Sequence, residues 1–530
     1  MTAAGQVRPR AGADDDVVGA AVPAAAVLAP STEPAPLRAL HHPAGAAVAA
    51  LVAAAATGVL VGVGGTAVLA AVVLALGLVA AALAPRFPSA LPLLALASAV
   101  TPPLVSLPFL VVVGGKSLFL SDVLLPLAVL VALRRRARVP RLELLAWFYA
   151  AVMLAQAAVG VVQRQPFEAF TQDLRGPLYV VMGFLVVSRL ATTRGARAAV
   201  RVALLVLWYT ASLMLVTIAT GTELLAGRTE NVRAFDTVQT LEIDATRFIV
   251  NSKGLAFLAV VVGVAVLASR VSTRHQRLLA AACLVPGAVV TFLGYARATM
   301  LALALCLLLL GLLARRLGLD WTRLGAALLA LAAPAALLVL SGNGSLVNDP
   351  DGNALARQVA GFEARVLDGL DEEGANSPGN QYRLLENRYA LQAAADNALF
   401  GLGIGADYHP RFVQDPTLQA FKANPDFGSR FIHNGWLWYL VKTGAVGLVA
   451  ALLLFFVPVL RAVGGRVPPA GTGVVAIALA VGLVGLMVIH LFEPDIHRVG
   501  TAPLFGAALG YLSLVTTASR RPSANAGATT

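Results

Sequence analysis

Gly435-Trp436-Leu437-Trp438-Tyr439-Leu440-Val441-Lys442-Thr443-Gly444-Ala445-Val446-Gly447-Leu448-Val449-Ala450-Ala451-Leu452-Leu453-Leu454-Phe455-Phe456-Val457-Pro458-Val459-Leu460-Arg461 opens on aromatic rings, stays apolar and closes on a cation. At 1.5 Å per residue a helix of this length crosses the roughly 30 Å of hydrocarbon in a bilayer. Trp and Tyr suit the membrane interface, and a terminal Arg suits the far side. Lys442 fits a straight span poorly, because it lies about 13 Å along the helix from His433. Either it faces a polar cavity, or the span proper begins near Ala445 and a short surface helix precedes it.

Similar apolar runs recur outward from this one along almost the whole chain. Of the 530 residues 58% are apolar and 13% charged, more apolar surface than a soluble core of this length can hide. Fourteen spans are expected, near 43–63, 66–84, 88–101, 119–133, 142–162, 177–190, 202–221, 253–269, 278–294, 298–314, 324–341, 435–460, 471–490 and 501–518. The fold class is therefore all-α, a polytopic transmembrane bundle of 12 to 14 spans with one large helical extracytoplasmic loop. Its parts are a disordered cytoplasmic tail 1–42, an N-terminal bundle 43–341, the loop 342–434, C-terminal helices 435–518 and a cytoplasmic tail 519–530.

Orientation follows from arginine in short loops, since positive flanks resist translocation. Arg134, Arg135, Arg136, Arg138 and Arg141 form one cluster, and Arg189, Arg194, Arg197 and Arg201 the next. Arg270, Arg274 and Arg277, then Arg315, Arg316 and Arg323, fall on the same side of the count, as do Arg461, Arg466, Arg520 and Arg521. That side is read as cytoplasmic, which puts 163–176, 222–252 and 342–434 outside and makes this a multi-pass protein of the inner (plasma) membrane. The net charge of +12 is explained by topology and lipid attraction, so no nucleic-acid partner is expected. Cys283 and Cys306 lie inside apolar spans and indicate neither a disulfide nor a metal clip.

The outer loop carries helical pattern. From Asn353 to Leu370 the apolar Leu355, Val359, Phe362, Val366 and Leu370 recur at steps of three and four, as an amphipathic helix requires. A second helix is predicted from Gln381 to Asn397, after the breaker Ser377-Pro378-Gly379-Asn380 and before Phe400-Gly401-Leu402-Gly403-Ile404-Gly405. On it Arg383 shares a face with Asn387, and Glu386 with Tyr389. The glycine run reads as a helix stop and tight turn, because no strand precedes it as a phosphate cradle would require. Asp371-Glu372-Glu373 lacks ligand spacing and reads as a solvated face.

Three groups of residues resemble the O-antigen ligase and polysaccharide polymerase family. His433-Asn434 before an aromatic-rich helix and Lys442-Thr443-Gly444-Ala445-Val446-Gly447 looks like that family's His-Asn start of the helix after its large outer loop. Arg383 with Ala390 and Asn397-Ala398-Leu399-Phe400-Gly401-Leu402-Gly403 resembles its loop Arg and its Asn-Pro-Leu-Phe-Gly-x-Gly run. Gly294-Tyr295-Ala296-Arg297 resembles its Ser-Arg at an outer turn. The chain departs from the pattern at Asn387, Ala398 and Ala296, where the family usually has Trp, Pro and Ser. Ser121-Asp122 and Arg175-Gly176 agree with the family layout.

The resemblance implies a glycosyltransferase that moves a glycan from a polyprenyl (undecaprenyl) diphosphate carrier to a glycan or lipid-anchored hydroxyl acceptor at the outer leaflet, without cofactor or metal. Arginine matches phosphate oxygens bidentately and stays protonated beside lipid, so Arg297 and Arg383 are expected to clamp the diphosphate. No Asp-x-Asp lies near the outer face, which leaves fixed cations to stabilise charge. His433 has the setting for the general base, and a single displacement would invert the anomeric carbon. Asn434 orients the imidazole, binds sugar hydroxyls or caps the helix. Arg175, Arg233, Arg247, Arg388 and Arg430 are outer cations that steer an anionic carrier or bind lipid phosphate. His490 and His497, flanking Glu493 and Asp495, are further candidates. The competing reading is a multispan transporter or flippase, which needs midplane charges and internal repeats that the sequence does not display.

Overall fold

Among the described residues, five helices of the computed structural model are long and apolar enough to cross a membrane, by length and composition: Glu143–Val162, Arg194–Thr220, Arg274–Phe292, Gly435–Val463 and Gly471–Ile489. Shorter apolar helices are Ala90–Val100, Lys253–Ala268, Arg297–Leu312 and Thr501–Thr517. The structure describes residues 90–103, 110–113, 116–134, 141–225, 228–235, 240–329, 331, 358, 362, 366, 378–410, 429–465 and 471–518. The expected spans 43–63 and 66–84, most of the helix expected over 353–370, and both tails lie outside the described residues.

In chain order the elements are α1 (Ala90–Val100), β1 (Leu110–Val113), β2 (Lys116–Phe119), α2 (Leu120–Arg134), α3 (Glu143–Val162), α4 (Phe167–Leu190), α5 (Thr193–Thr220), β3 (Arg228–Phe235), β4 (Thr240–Ile249), α6 (Lys253–Ala268), α7 (Arg274–Phe292) and α8 (Arg297–Leu312). After a helix over 321–329 come α9 (Pro378–Asp396), α10 (Gly435–Val463), α11 (Gly471–Ile489) and α12 (Thr501–Ala518). The described residues are mostly helical, as expected, with two short hairpins that an all-α reading does not include. β1 and β2 form one antiparallel hairpin, and β3 and β4 a second with an irregularity at Asn231/Val232. The second hairpin occupies much of segment 222–252, where β-branched and aromatic residues such as Val232, Phe235, Ile243 and Phe248 favour extended backbone over another helix.

Contacts sort the helix ends into two groups. At one end Arg189 of α4 pairs with Glu143 of α3, Ser269 bridges Leu319, and Arg316 donates to the Val463 carbonyl at the end of α10. This is where the arginine clusters gather. α12 runs parallel to α4, with Gly506 letting its backbone close on Val180, so that His497 just before α12 meets Gly176 near the start of α4. That opposite end also gathers the start of α10 and the start of α6. The apolar core between the ends contains Tyr149, Phe184, Phe257, Phe455 and Phe505, all fully buried.

Candidate functional site

α9 begins at Pro378, whose fixed φ and missing N–H suit the first turn of a helix. Its buried positions are Tyr382, Glu386, Ala390 and Ala394, one stripe at a spacing of four. Glu386 is thus a carboxylate in a core register, only 1% exposed. A carboxylate so placed needs hydrogen-bond donors, and both come from His433. The His433 backbone N–H donates to Glu386 Oε1 at 2.6 Å, and Nδ1 lies 2.7 Å from Oε2. A carboxylate can only accept from a neutral imidazole, so Nδ1 carries the hydrogen and Nε2 is the basic nitrogen. The rings of Tyr382 and Phe431 stand edge-on to the imidazole, 6.4 and 4.8 Å between centroids. Burial first, then the Glu386 charge, push the Tyr382 hydroxyl above its usual range and keep it protonated.

Asn434 caps α10, its side-chain oxygen accepting from Trp436 N at 3.0 Å and Leu437 N at 3.1 Å. Of the roles open to it in the sequence, the cap is the one observed. α10 is not one straight helix. Gly444 has φ 65° and ψ −170°, which separates a first segment carrying Lys442 from the apolar segment beyond. The backbone groups freed by the break are met by the glycine run: Leu402 N and Gly403 N donate to the carbonyls of Val441 and Lys442, and Ala445 N and Val446 N donate to those of Ala398 and Leu399. Lys442 is wholly buried, 3.3 Å from Asp173 Oδ2, and donates to the Ala406 carbonyl. Both alternatives for Lys442 therefore hold in part: the helix restarts at Ala445, and the ammonium sits in a polar niche. The glycine run has the expected role of helix stop and turn, with Gly401, Gly403 and Gly405 at positive φ.

The expected cations occupy distinct settings. Arg383 is half-buried on α9, one turn before Glu386, and no ion pair engages it among the described residues. Arg297 opens α8, and its turn is held by Arg247 Nε donating to the Gly294 carbonyl at 3.1 Å. Arg175 pairs with Asp122 at 3.1 Å and lies 5.2 Å from the centre of the Phe119 ring, while Tyr179 donates to the same carboxylate at 2.5 Å. Arg430 pairs with Asp407 at 2.8 Å. Arg388 is exposed, and the side chain of Arg233 lies outside the described residues. Contacts join His433 to α9, which also carries Arg383, whereas Arg175 and Arg430 are engaged by carboxylates of their own.

Behind the start of α10, Gly435 N donates to the His490 carbonyl, and the rings of His490 and His497 stand 4.8 Å apart amid Trp436, Trp438 and Tyr439. Burial holds both imidazoles neutral, His490 well below its ordinary value and His497 lowered to about 3. They serve as packing behind the site. Beside them Lys253 meets Glu493 at 3.1 Å and Asp495 at 3.2 Å, and Arg498 meets Asp495 at 3.0 Å. Burial alone would raise the Glu493 carboxyl, yet Lys253, Arg498 and Arg247 hold it well below its usual range.

Residues 282–452 match the family model described as O-antigen ligase. This stretch is similar to the O-antigen ligase family. It contains Arg297, Arg383, Glu386, His433, Asn434, Lys442 and Gly444, whereas Asp173, Lys253, Glu493 and the His490–His497 pair lie beyond it. The match points to a membrane glycosyltransferase of O-antigen ligase type, with a lipid-linked glycan and an acceptor as its general partners. Comparison with curated proteins finds no match. Sequence reasoning singled out His433 but gave Glu386, Asp173 and Lys253 no role. The available signal for Glu386 was its fourfold spacing from Tyr382, Ala390 and Ala394, which puts a carboxylate on a buried stripe.

Proposed function

We propose that the chain transfers a glycan from a polyprenyl diphosphate carrier to a hydroxyl acceptor at the extracytoplasmic face of the plasma membrane, with His433 as general base. The observation that carries this reading is the buried Glu386 carboxylate bonded to both the N–H and Nδ1 of His433. It holds the ring in one tautomer with Nε2 as the proton acceptor, and its charge stabilises the imidazolium that forms. The acceptor oxygen attacks the anomeric carbon as its proton passes to Nε2. The bond from that carbon to the diphosphate oxygen breaks, the electron pair leaves with the diphosphate, and configuration inverts.

Charge that accumulates on the departing diphosphate needs preorganised cations. Arg383 is the first choice, since it stands one turn from Glu386 and pairs with no carboxylate among the described residues. Arg297 is the second, and Arg175 and Arg430 contribute less, because Asp122 and Asp407 neutralise them. Asn434 acts chiefly through the cap that aims the first turn of α10. No metal enters this step. The test is purified, reconstituted protein with a polyprenyl diphosphate oligosaccharide and hydroxyl acceptors, scored for transfer. Wild type transfers, and His433→Ala and Arg383→Ala lose the activity while still folding. Full transfer by His433→Ala, or lipid-linked substrate moved across the bilayer without transfer, overturns the reading.

A further inference from the structure

The Glu386–His433 contact joins two helices that meet again at their other ends. Eleven residues separate Glu386 from Asn397 at the end of α9, and eleven separate His433 from the Gly444 break in α10. Each arm spans about 16 Å at helical rise. Both arms run from the dyad to the same knot, where the segment Ala398–Gly403 lies along the broken backbone through four hydrogen bonds, two to carbonyls before the break and two from amides after it. A Cβ on Gly401 would lie 2.6 Å from Lys442 C and Gly444 N, and one on Gly444 would collide with the Leu399 carbonyl. Two parallel helices pinned at both ends have one register. A slip of one residue in either arm, about 1.5 Å of rise with about 100° of rotation, would turn His433 Nδ1 and the Glu386 carboxylate away from each other.

Lys442 fastens this knot to the rest of the bundle. Its ammonium reaches Asp173 on α4 and the Ala406 carbonyl, while Asp173 also accepts from Gly405 N at 2.9 Å and from Trp438 Nε1 at 3.4 Å. One carboxylate thus holds the glycine run, the first segment of α10 and α4 together. A wholly buried lysine in a chain of this kind is costly unless it has a task, and Lys442 lies about 13 Å along the chain from His433, too far to touch the reacting atoms.

We infer that Lys442 and Asp173 are positioning residues: through the knot at Gly444 they set the register of His433 against Glu386 and so the rate of the transfer step. This rests on the base reading of His433. The test compares Lys442→Met/Asp173→Asn, which removes both charges together and leaves no buried ion unpaired, with Glu386→Gln, in reconstituted protein. The double variant is expected to melt close to wild type, to lose about 10- to 100-fold in kcat, to keep its donor KM within about threefold of wild type, and to displace the pH dependence of kcat as Glu386→Gln does. Wild-type kcat and pH dependence in the folded double variant overturn the inference, as does a loss of rate fully explained by loss of folded protein. If the double variant does not fold, Lys442→Arg decides: kcat and pH profile part-way toward Glu386→Gln support positioning, and wild-type values overturn it. A wild-type pH profile in Glu386→Gln itself overturns the base reading and this inference together, which separates the two failures.

Discussion

The two ends of the bundle use charge in opposite ways. At the arginine-rich end, the buried Arg189–Glu143 pair apart, the paired side chains stand largely in the open: Arg270 is 69% exposed at 3.4 Å from Asp320, and Arg323 42% exposed at 3.9 Å. Its helices start on ordinary caps, such as the Thr273–Gln276 capping box of α7. At the other end the charges are buried and interlocked, with Lys442 on Asp173, Lys253 on Glu493 and Asp495, and His433 on Glu386. Exposed pairs contribute little to stability, whereas a buried charge that loses its partner costs several kcal/mol. Charge at the first end therefore reads as topology, and charge at the second, on the proposed function, as chemistry and its support.

Removing one partner from the buried end is the strongest way to break this contrast. Lys253→Met leaves Glu493 and Asp495 without their shared ammonium and is expected to cost about 3–5 kcal/mol, read as a lower melting temperature in detergent. A melt within a degree of wild type would mean that the cluster is hydrated and screened. Next, Glu386→Gln keeps the shape of the side chain and removes its charge. Transfer is expected to slow about 10- to 100-fold, or about 1.4–2.7 kcal/mol, with little change in donor KM. An unchanged rate would reduce Glu386 to packing.

The paired histidines sharpen the comparison through pH. Burial lowers His497 to about 3, so below the unfolded value near 6.5 the unfolded chain takes up a proton that the folded chain refuses. Stability should fall as pH drops from about 6.5 toward 3, by at most about 1.4 kcal/mol per pH unit for His497, and His490, also held low, adds its own share. Glu493, also held low, adds its loss only below the ordinary carboxylate range, so a decline between pH 6.5 and 5 belongs to the imidazoles. His497→Asn should make that part of a melting-temperature profile shallower, leaving the share of His490. The smallest effect belongs to the arginine-rich end: Arg323→Ala should change stability by less than about 1 kcal/mol.

How much of this was legible in the sequence follows the same division. The arginine clusters and apolar runs are local, and counting them yields a membrane bundle whose arginines gather at one end in the structure. The His-Asn start of α10, the stop at Gly401-Leu402-Gly403 and the helix over Gln381–Asn397 were also legible, because capping residues and glycine act on their own neighbourhood. Pairings between distant segments were not. Asp173 and Lys442 are 269 positions apart in the chain, and nothing in either segment names the other. The β3–β4 hairpin was missed because 222–252 was read by its place between spans and not for its alternation. Lys442 was visible as a conflict, a lysine where a span should be apolar, and the break at Gly444 resolves it.

The sharpest measurement is single-turnover glycan transfer by His433→Gln, with donor binding measured on the same reconstituted protein. Transfer at least 100-fold slower, with a donor Kd within about threefold of wild type, is expected of a lost base. Transfer at the wild-type rate would contradict His433 as the base.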